Sequence, residues 1–309
     1  MRVLVTGACG FVGRHALREL AERGHEPYAT DAVLSDPLPP EAAGGTAADL
    51  RDADALDRLV SSVRPDACLH LGALSFVPSG RADPEAMLSV NIAGTIGLLD
   101  ALRRHAPACR TLVVSTAQIY APATHDAWVA EDAPPAPATL YAVSKMAADL
   151  TALGYARRFG LPVLTARPNN HTGPGQSARF AIPSWIRQIR AVRAGQTPPV
   201  IRTGNLESRR VFMDVRDVAR AYRLLIEQGE AGHAYNVSAS DNLVLGRILD
   251  RLCVLAEIAP RLETDADAWR PADRSPLLST EKIRERTGWA PRIPLEQTLR
   301  DMLFESEPS

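Results

Sequence analysis

The sequence predicts an α/β protein built on a doubly wound parallel sheet, followed by a smaller α/β C-terminal region. Three observations carry that expectation. Near-continuous apolar runs at 3–5, 67–71 and 111–115 alternate with helical patterns at 11–23, 52–63 and 91–105. Strands that are apolar on both faces are what a parallel sheet covered by helices above and below requires. Glycines crowd the first strand-to-helix turn, and 309 residues that are 46% hydrophobic supply the core of one large unit or two linked ones.

Residues 3–5 read as a buried strand. In 11–23, Val12, Ala16, Leu17 and Leu20 fall on one helical face, and Gly24 stops the helix. Pro27 to Ala29 lead to Asp31, the end of a second strand. Residues 36–46 are a loop by composition. Each of the strands at 67–71 and 111–115 follows a helix, and 121–139 is a second Pro- and Asp-rich loop. A helix at 140–158 and a strand at 162–166 complete the alternation. Beyond 167 the pattern loosens, with Gly, Pro, Asn and Arg crowding 167–179 and 195–210. Helices return at 216–227 and 243–257, and 232–237 adds one more strand to the sheet. The expected division is a sheet domain of residues 1–166 and 211–237, with 167–210 and 238–309 as a discontinuous substrate domain.

Composition excludes several classes. Lys plus Arg is 35 and Asp plus Glu is 36, so a net charge of -1 gives no global basic field for nucleic acid. Cys9, Cys68, Cys109 and Cys253 lie far apart, which argues against a disulfide framework and a zinc site. No trio of His, Asp and Glu has ligand spacing, so no metal is expected. The apolar run at 3–5 meets glycine at once, unlike a signal peptide, and no stretch of ~18 apolar residues stands out. The expectation is a cytoplasmic chain without a membrane segment.

Gly7-Ala8-Cys9-Gly10-Phe11-Val12-Gly13 is G-x-x-G-x-x-G between the first strand and first helix. Glycine there allows a tight turn, close approach of a pyrophosphate and close helix packing, while the helix N-terminus presents N–H groups and partial positive charge. This is the fingerprint of a Rossmann-type dinucleotide site. Asp31, at the end of the second strand, can accept both adenosine ribose hydroxyls and repels a 2′-phosphate. NAD(H) is therefore favoured, and Arg14 keeps NADP(H) open.

Tyr141-Ala142-Val143-Ser144-Lys145 is the second chemical feature. Residues i and i+4 share a helix face, so the Lys145 ammonium is expected beside the Tyr141 hydroxyl, lowering its pKa and making the phenol a usable acid/base. Ser115-Thr116 ends the preceding strand, and a hydroxyl there can bond the same substrate oxygen.

Together these residues resemble an extended short-chain dehydrogenase/reductase, the group of nucleotide-sugar epimerases, dehydratases and reductases. The resemblance runs the whole length, through His70-Leu71-Gly72-Ala73-Leu74-Ser75, Val90-Asn91-Ile92-Ala93-Gly94-Thr95 and Arg167-Pro168. Asn169-Asn170-His171-Thr172-Gly173-Pro174-Gly175-Gln176 is similar to a stretch shared by GDP-4-keto-6-deoxy-D-mannose reductases and GDP-mannose dehydratases. Gly204-Asn205-Leu206-Glu207-Ser208-Arg209-Arg210, Asp214-Val215-Arg216-Asp217-Val218 and Arg270-Pro271-Ala272-Asp273 follow the same pattern, as does the Thr287-Gly288-Trp289 tail.

The resemblance implies catalytic roles for Thr116, Tyr141 and Lys145. It implies cofactor contacts at Gly7, Gly10, Phe11, Val12, Gly13, Asp31, Asp49, Leu50, Leu71, Gly72, Ala73, Asn91 and Pro168, with Tyr141 and Lys145 also touching cofactor. Substrate contacts are implied at Ser75, Asn170, Arg210, Arg270 and Asp273. Planar, permanently charged guanidinium groups suit a diphosphate. The helices at 91–105 and 140–158 resemble the pair through which such enzymes form a homodimer.

Departures narrow the reaction. Family dehydratases carry a carboxylate close after the catalytic hydroxyl, where this chain has Ala117 and Gln118, and an amide cannot exchange a proton at neutral pH. Val211 and Met213 replace a usual Asp and Thr, Ala121 a Gly, and Gly72 an Ala. His70 reads as a satisfied buried side chain and His171 as a loop residue under the substrate. The expectation is hydride transfer at C4 of a nucleotide-linked 4-keto-6-deoxyhexose, GDP-linked by resemblance. A nucleotide-sugar 4-epimerase that retains NAD and a non-catalytic dinucleotide-binding regulator are the rivals.

Overall fold

The structure, a computed structural model, describes residues 1–75, 83–121 and 127–304. Chain order begins with β1 (Arg2–Thr6), α1 (Phe11–Glu22), β2 (Glu26–Thr30), β3 (Gly44–Gly45), α2 (Ala53–Val63) and β4 (Ala67–His70). Next come α3 (Pro84–Leu88), a π-helical turn (Ser89–Ala93), α4 (Gly94–His105), β5 (Arg110–Val114), β6 (Trp128–Val129), α5 (Leu140–Phe159), β7 (Val163–Pro168) and β8 (Asn170–Thr172). The chain continues with α6 (Ala181–Arg193), β9 (Val200–Thr203), β10 (Arg209–Asp214), α7 (Val215–Gln228), β11 (Ala234–Val237) and β12 (Asn242–Val244). It ends with α8 (Leu245–Leu255), β13 (Arg261–Thr264), β14 (Leu277–Leu278), α9 (Glu281–Thr287) and α10 (Leu295–Phe304).

Seven parallel strands form the main sheet in the order β11-β7-β5-β4-β1-β2-β3. Strand alternation sorts β1 between two cores: Val3 and Val5 pack with α1 and α7, Leu4 with α2 and α4. Strand order reverses at β1, and ligands of doubly wound sheets bind in the crevice at such a switch point. The glycine loop opens there.

Turn and cap chemistry fixes the site-bearing helix. Thr139 caps α5 by accepting the Ala142 N–H at 3.1 Å, and Gly160 ends it in the left-handed region at φ +69°. Ile182, Trp185 and Ile186 of α6 pack with α8 and α10 into a separate apolar cluster, bordered by a three-stranded sheet of order β12-β10-β8.

Several boundaries differ from expectation. The helical run expected from 91 begins at Pro84, where Asp83 accepts the Ala86 N–H at 3.0 Å and proline occupies the first turn. The 22-residue run Pro84–His105 is long and apolar enough to cross a membrane by length and composition, correcting the expectation of no such stretch. Its Leu98, Leu99 and Leu102 are buried, packed in the protein core against α2 and α5. The loop at 36–46 contains β3, and the loop at 121–139 contains β6, its residues 122–126 lying outside the described ones. Helix α6 departs from the expected loose region, because Pro183 sits in its first turn, where no intrahelical N–H is needed. Ile283 and Trp289, assigned by expectation to the substrate region, pack in the core beneath the main sheet.

Candidate active site

At Gly7 the backbone is left-handed, φ +68°, and a side chain would meet the Gly72 nitrogen at 2.9 Å. A Cβ at Gly13 would overlap the Gly7 carbonyl. Both positions therefore need glycine, and the loop they make suits close approach of a pyrophosphate. The Phe11 ring lies edge-on to His15 at 5.5 Å and stacked on His171 at 6.3 Å. Val12 packs on the core.

Beside the loop, Thr6, Gly7, Asp31, Asp49, Leu50 and Gly72 line part of a cavity of about 240 Å³ that also takes in Ala73. Asp31 accepts the Cys9 N–H at 3.2 Å and the Ala32 N–H at 2.9 Å, one on each oxygen. A carboxylate oxygen has further lone-pair capacity, so Asp31 can still accept ribose hydroxyls. The Arg51 guanidinium holds the Asp49 carboxyl down to about 2. A small-residue cradle, a carboxylate at the strand end and an apolar Leu50 wall fit a dinucleotide.

Asn91 is buried and fully used by the protein. Its Oδ1 accepts the Leu74 N–H at 2.8 Å, and its Nδ2 donates to the Leu74 carbonyl at 3.1 Å and to Ser144 Oγ at 2.9 Å. It ties the segment after β4 to α5, a structural role. Leu71 packs against the core, and its N–H donates to the Thr6 carbonyl at 3.2 Å. Pro168 closes β7, level with Val237. Ser75 is exposed and adjoins residues 76–82, which lie outside the described ones.

Thr116 and Tyr141 are brought together. The Thr116 hydroxyl acts on the Tyr141 phenol, pulling it toward the phenolate, and Thr116 Oγ1 accepts the Gln118 N–H at 3.3 Å. Burial pushes the Tyr141 phenol up to about 12, against the pull of the Thr116 hydroxyl. The expected lowering of this phenol by Lys145 is therefore corrected: burial raises it, and the Thr116 hydroxyl, not the ammonium, is what favours the phenolate. Lys145, 6% exposed, is itself lowered to about 8 by burial, with Asp149 acting in the opposite direction.

A buried polar network that sequence reasoning missed stands behind these groups. Arg167 donates to both oxygens of Asp149, at 3.0 and 2.9 Å, and to Tyr120 Oη at 2.8 Å. Tyr120 donates to Asn236 Oδ1 at 2.9 Å, and the Asn236 N–H reaches Glu131 Oε1 at 2.8 Å. The available signal was the spacing of Asp149, one helical turn after Lys145.

His70 is the satisfied buried side chain expected. Thr6 Oγ1 accepts the Gly72 N–H and so donates to His70 Nδ1, at 2.7 Å; His70 Nε2–H donates to Thr95 Oγ1 at 3.0 Å. Burial drives its pKa down to about 3. His171 lies in β8 rather than a loop, and burial lowers it too.

Asn170 registers with Phe212, two residues from Arg210, so Asn170 and Arg210 share one face of the small sheet. Arg210 is paired with Asp273 at 2.5 Å, and Asp273 also accepts from Ser208 Oγ at 3.1 Å. Arg270 is not brought onto this pair. Its guanidinium donates to the carbonyls of Asp267 and Trp269 in its own loop. Val211 and Met213, which replace family polar residues, alternate with Arg210 and Phe212 and turn into the core.

A family model described as GDP-mannose 4,6 dehydratase matches residues 4–302. GDP-6-deoxy-D-mannose reductase of Pseudomonas aeruginosa is 34% identical over 308 residues, covering 99% of this chain and 97% of its own. Among solved structures, RMD from Pseudomonas aeruginosa complexed with NADPH has a TM-score of 0.82 at 33% identity, over 98% of this chain and 97% of that one. UDP-glucose 4-epimerase of Thermus thermophilus complexed with NAD has a TM-score of 0.85 at 27% identity, over 98% of each chain. The likeness spans both the switch-point crevice and the smaller sheets that flank it, and the chain belongs to the GDP-mannose 4,6-dehydratase family of extended short-chain dehydrogenases/reductases.

Proposed function

We propose that this chain is an NAD(P)-dependent reductase of a nucleotide-linked 4-keto-6-deoxyhexose, with GDP as the linked nucleotide. The observation that carries the reading is the Thr116–Tyr141 hydroxyl pair with an amide, Gln118, where a dehydratase needs a carboxylate. The similarity to a GDP-6-deoxy-D-mannose reductase supports the same choice.

The Gly7–Gly13 loop would hold the pyrophosphate of a nicotinamide dinucleotide, which in its reduced form would supply hydride to the sugar C4. Tyr141 gives its phenolic proton to the C4 oxygen as that oxygen gains negative charge, and Thr116 holds the same oxygen. Lys145 stands on the same helix face to offset the phenolate, which solvent reprotonates. Asn170 and Arg210 hold the diphosphate, with Arg210 exchanging the Asp273 carboxylate for phosphate oxygens, both anions its planar fork can clasp; Arg270 joins them by leaving the Asp267 and Trp269 carbonyls. Ser75 approaches the sugar. Remote binding of this kind places the reacting carbon, a large part of catalysis.

Asp31 selects NAD(H) in this reading, although the Pseudomonas aeruginosa relative is complexed with NADPH. We read residues 1–166 and 211–237 as the cofactor-binding unit and the rest as the substrate unit. We also read the chain as a homodimer joined through α4 and α5, on which Ile96, Val143 and Leu150 are exposed.

The test is to mix the protein with reduced nicotinamide and GDP-, UDP- and dTDP-linked 4-keto-6-deoxy sugars and follow loss of reduced cofactor. The GDP-linked keto sugar is expected to be consumed with stoichiometric oxidation of cofactor. GDP-mannose with NAD is expected to yield no product lacking water by mass spectrometry. Interconversion of C4 epimers with no net change in nicotinamide absorbance would make the chain an epimerase instead, a reading kept open by its likeness to the Thermus thermophilus enzyme.

A further inference from the structure

We propose that the buried pair Asp149–Arg167 is the positioning device of this active site, tying the strand end that carries Thr116 to the helix that carries Tyr141 and Lys145. It rests on the reading of those three residues as the reacting set. Asp149 lies one turn beyond Lys145 on α5, wholly buried, and Arg167 is 6% exposed on β7. Both carboxylate oxygens are taken by the Arg167 guanidinium, at 2.9 and 3.0 Å. The remaining nitrogen of the fork reaches Tyr120, which closes the short 3₁₀ turn opened by Thr116. Residues from β5's end, α5 and β7 are thus fixed by the N–H donors of one rigid planar fork, a geometry a lysine could not reproduce.

The pair also acts on Lys145 without touching it. Among the described residues, the titratable and charged groups seen to interact with that ammonium are Asp149 from its own helix and neutral His70 from β4, with Arg167 from β7 behind the carboxylate. Asp149 is the only carboxylate among them. Burial favours the uncharged amine, and Asp149 opposes it, keeping Lys145 a cation at neutral pH. Asp149 and Arg167 are positioning residues; neither reaches substrate.

Lys145 and Lys282 are the only lysines in the sequence, so the full chain labelled at lysine ¹³Cε gives two signals, and Lys282→Arg assigns them. In the unmodified protein the Lys145 signal is expected to titrate near 8. In Asp149→Asn, and in Asp149→Asn combined with Arg167→Gln, which leaves no unpaired buried charge, it should titrate about one unit lower, a tenfold loss of the charged form above its pKa. The alkaline limb of kcat should move with it while KM changes less than about twofold, and Asp149→Glu should restore part of the shift. Tyr120→Phe removes one hydroxyl and leaves both charges paired, so kcat should fall several-fold with the Lys145 titration unmoved. An unshifted Lys145 in the double variant, or full activity in Tyr120→Phe, overturns the inference. Absence of keto-sugar reduction by the unmodified protein, with the Lys145 titration shifting as stated, would instead sink the proposed reaction.

Discussion

The Thr116 hydroxyl stands beside the Tyr141 phenol and favours its phenolate, bringing the end of β5 to the first turn of α5. Two side chains 25 positions apart thereby converge on one point at the carboxyl edge of the sheet, and Gln118 follows on the same turn. A carbonyl oxygen placed between the two hydroxyls would have a proton donor and a second hydrogen-bond partner.

Tyr141→Phe should lower kcat by about a hundredfold or more, the scale of positioned acid catalysis, while cofactor affinity stays within about twofold. Steady-state rates and calorimetric cofactor binding on the same preparation decide it. Full activity in the variant would remove Tyr141 from the mechanism.

Acid stability should report His70. Its folded pKa, near 3, lies below the free value of 6.5, so its stabilising contribution is complete above 6.5 and is lost as pH falls toward 3. Between pH 6.5 and 5 this one group should cost ~1.4 kcal/mol per pH unit. Denaturant unfolding of His70→Gln over that window should show a shallower slope than the unmodified protein; parallel curves would contradict the assignment.

Cofactor choice should follow Asp31. Calorimetry is expected to give tighter NAD(H) than NADP(H), and Asp31→Ser should narrow that gap by about tenfold through loss of ribose bonding and of charge repulsion. Tighter NADP(H) in the unmodified protein would point to exposed Arg14 at the start of α1 as the phosphate partner.

Assembly should depend on the α4–α5 face. Leu150, 47% exposed, and Val143, 38% exposed, lie seven residues apart on one face of α5. Sedimentation should give a dimer at micromolar concentration and a monomer for Leu150→Glu, which places a charge in the apolar contact. A monomer from the unmodified chain would refute the dimer.

Much of this protein was determined by local sequence. The parallel sheet was legible because its strands are apolar on both faces and short, and the glycine loop because Gly7 and Gly13 occupy positions where any side chain collides with backbone. Tyr141 and Lys145 were legible because one helical turn fixes their spacing. Local pattern failed where burial is shared among distant segments: β8, β9 and β10 are three to six residues long and become strands only when paired, and α6 hides behind an early proline. Electrostatics was also beyond the sequence. Spacing placed Lys145 beside Tyr141, but the depth of the site decides both pKa values: desolvation outweighs the Thr116 hydroxyl at Tyr141 and the Asp149 carboxylate at Lys145. Arg210 could be matched by its neighbours in sequence, yet its pairing with Asp273, 63 residues on, and the turn of Arg270 onto its own loop depend on tertiary contacts. The Asp149–Arg167–Tyr120 network is the clearest case: three residues from three segments, each ordinary in its local context, form one buried charge system only because the sheet and α5 cover them.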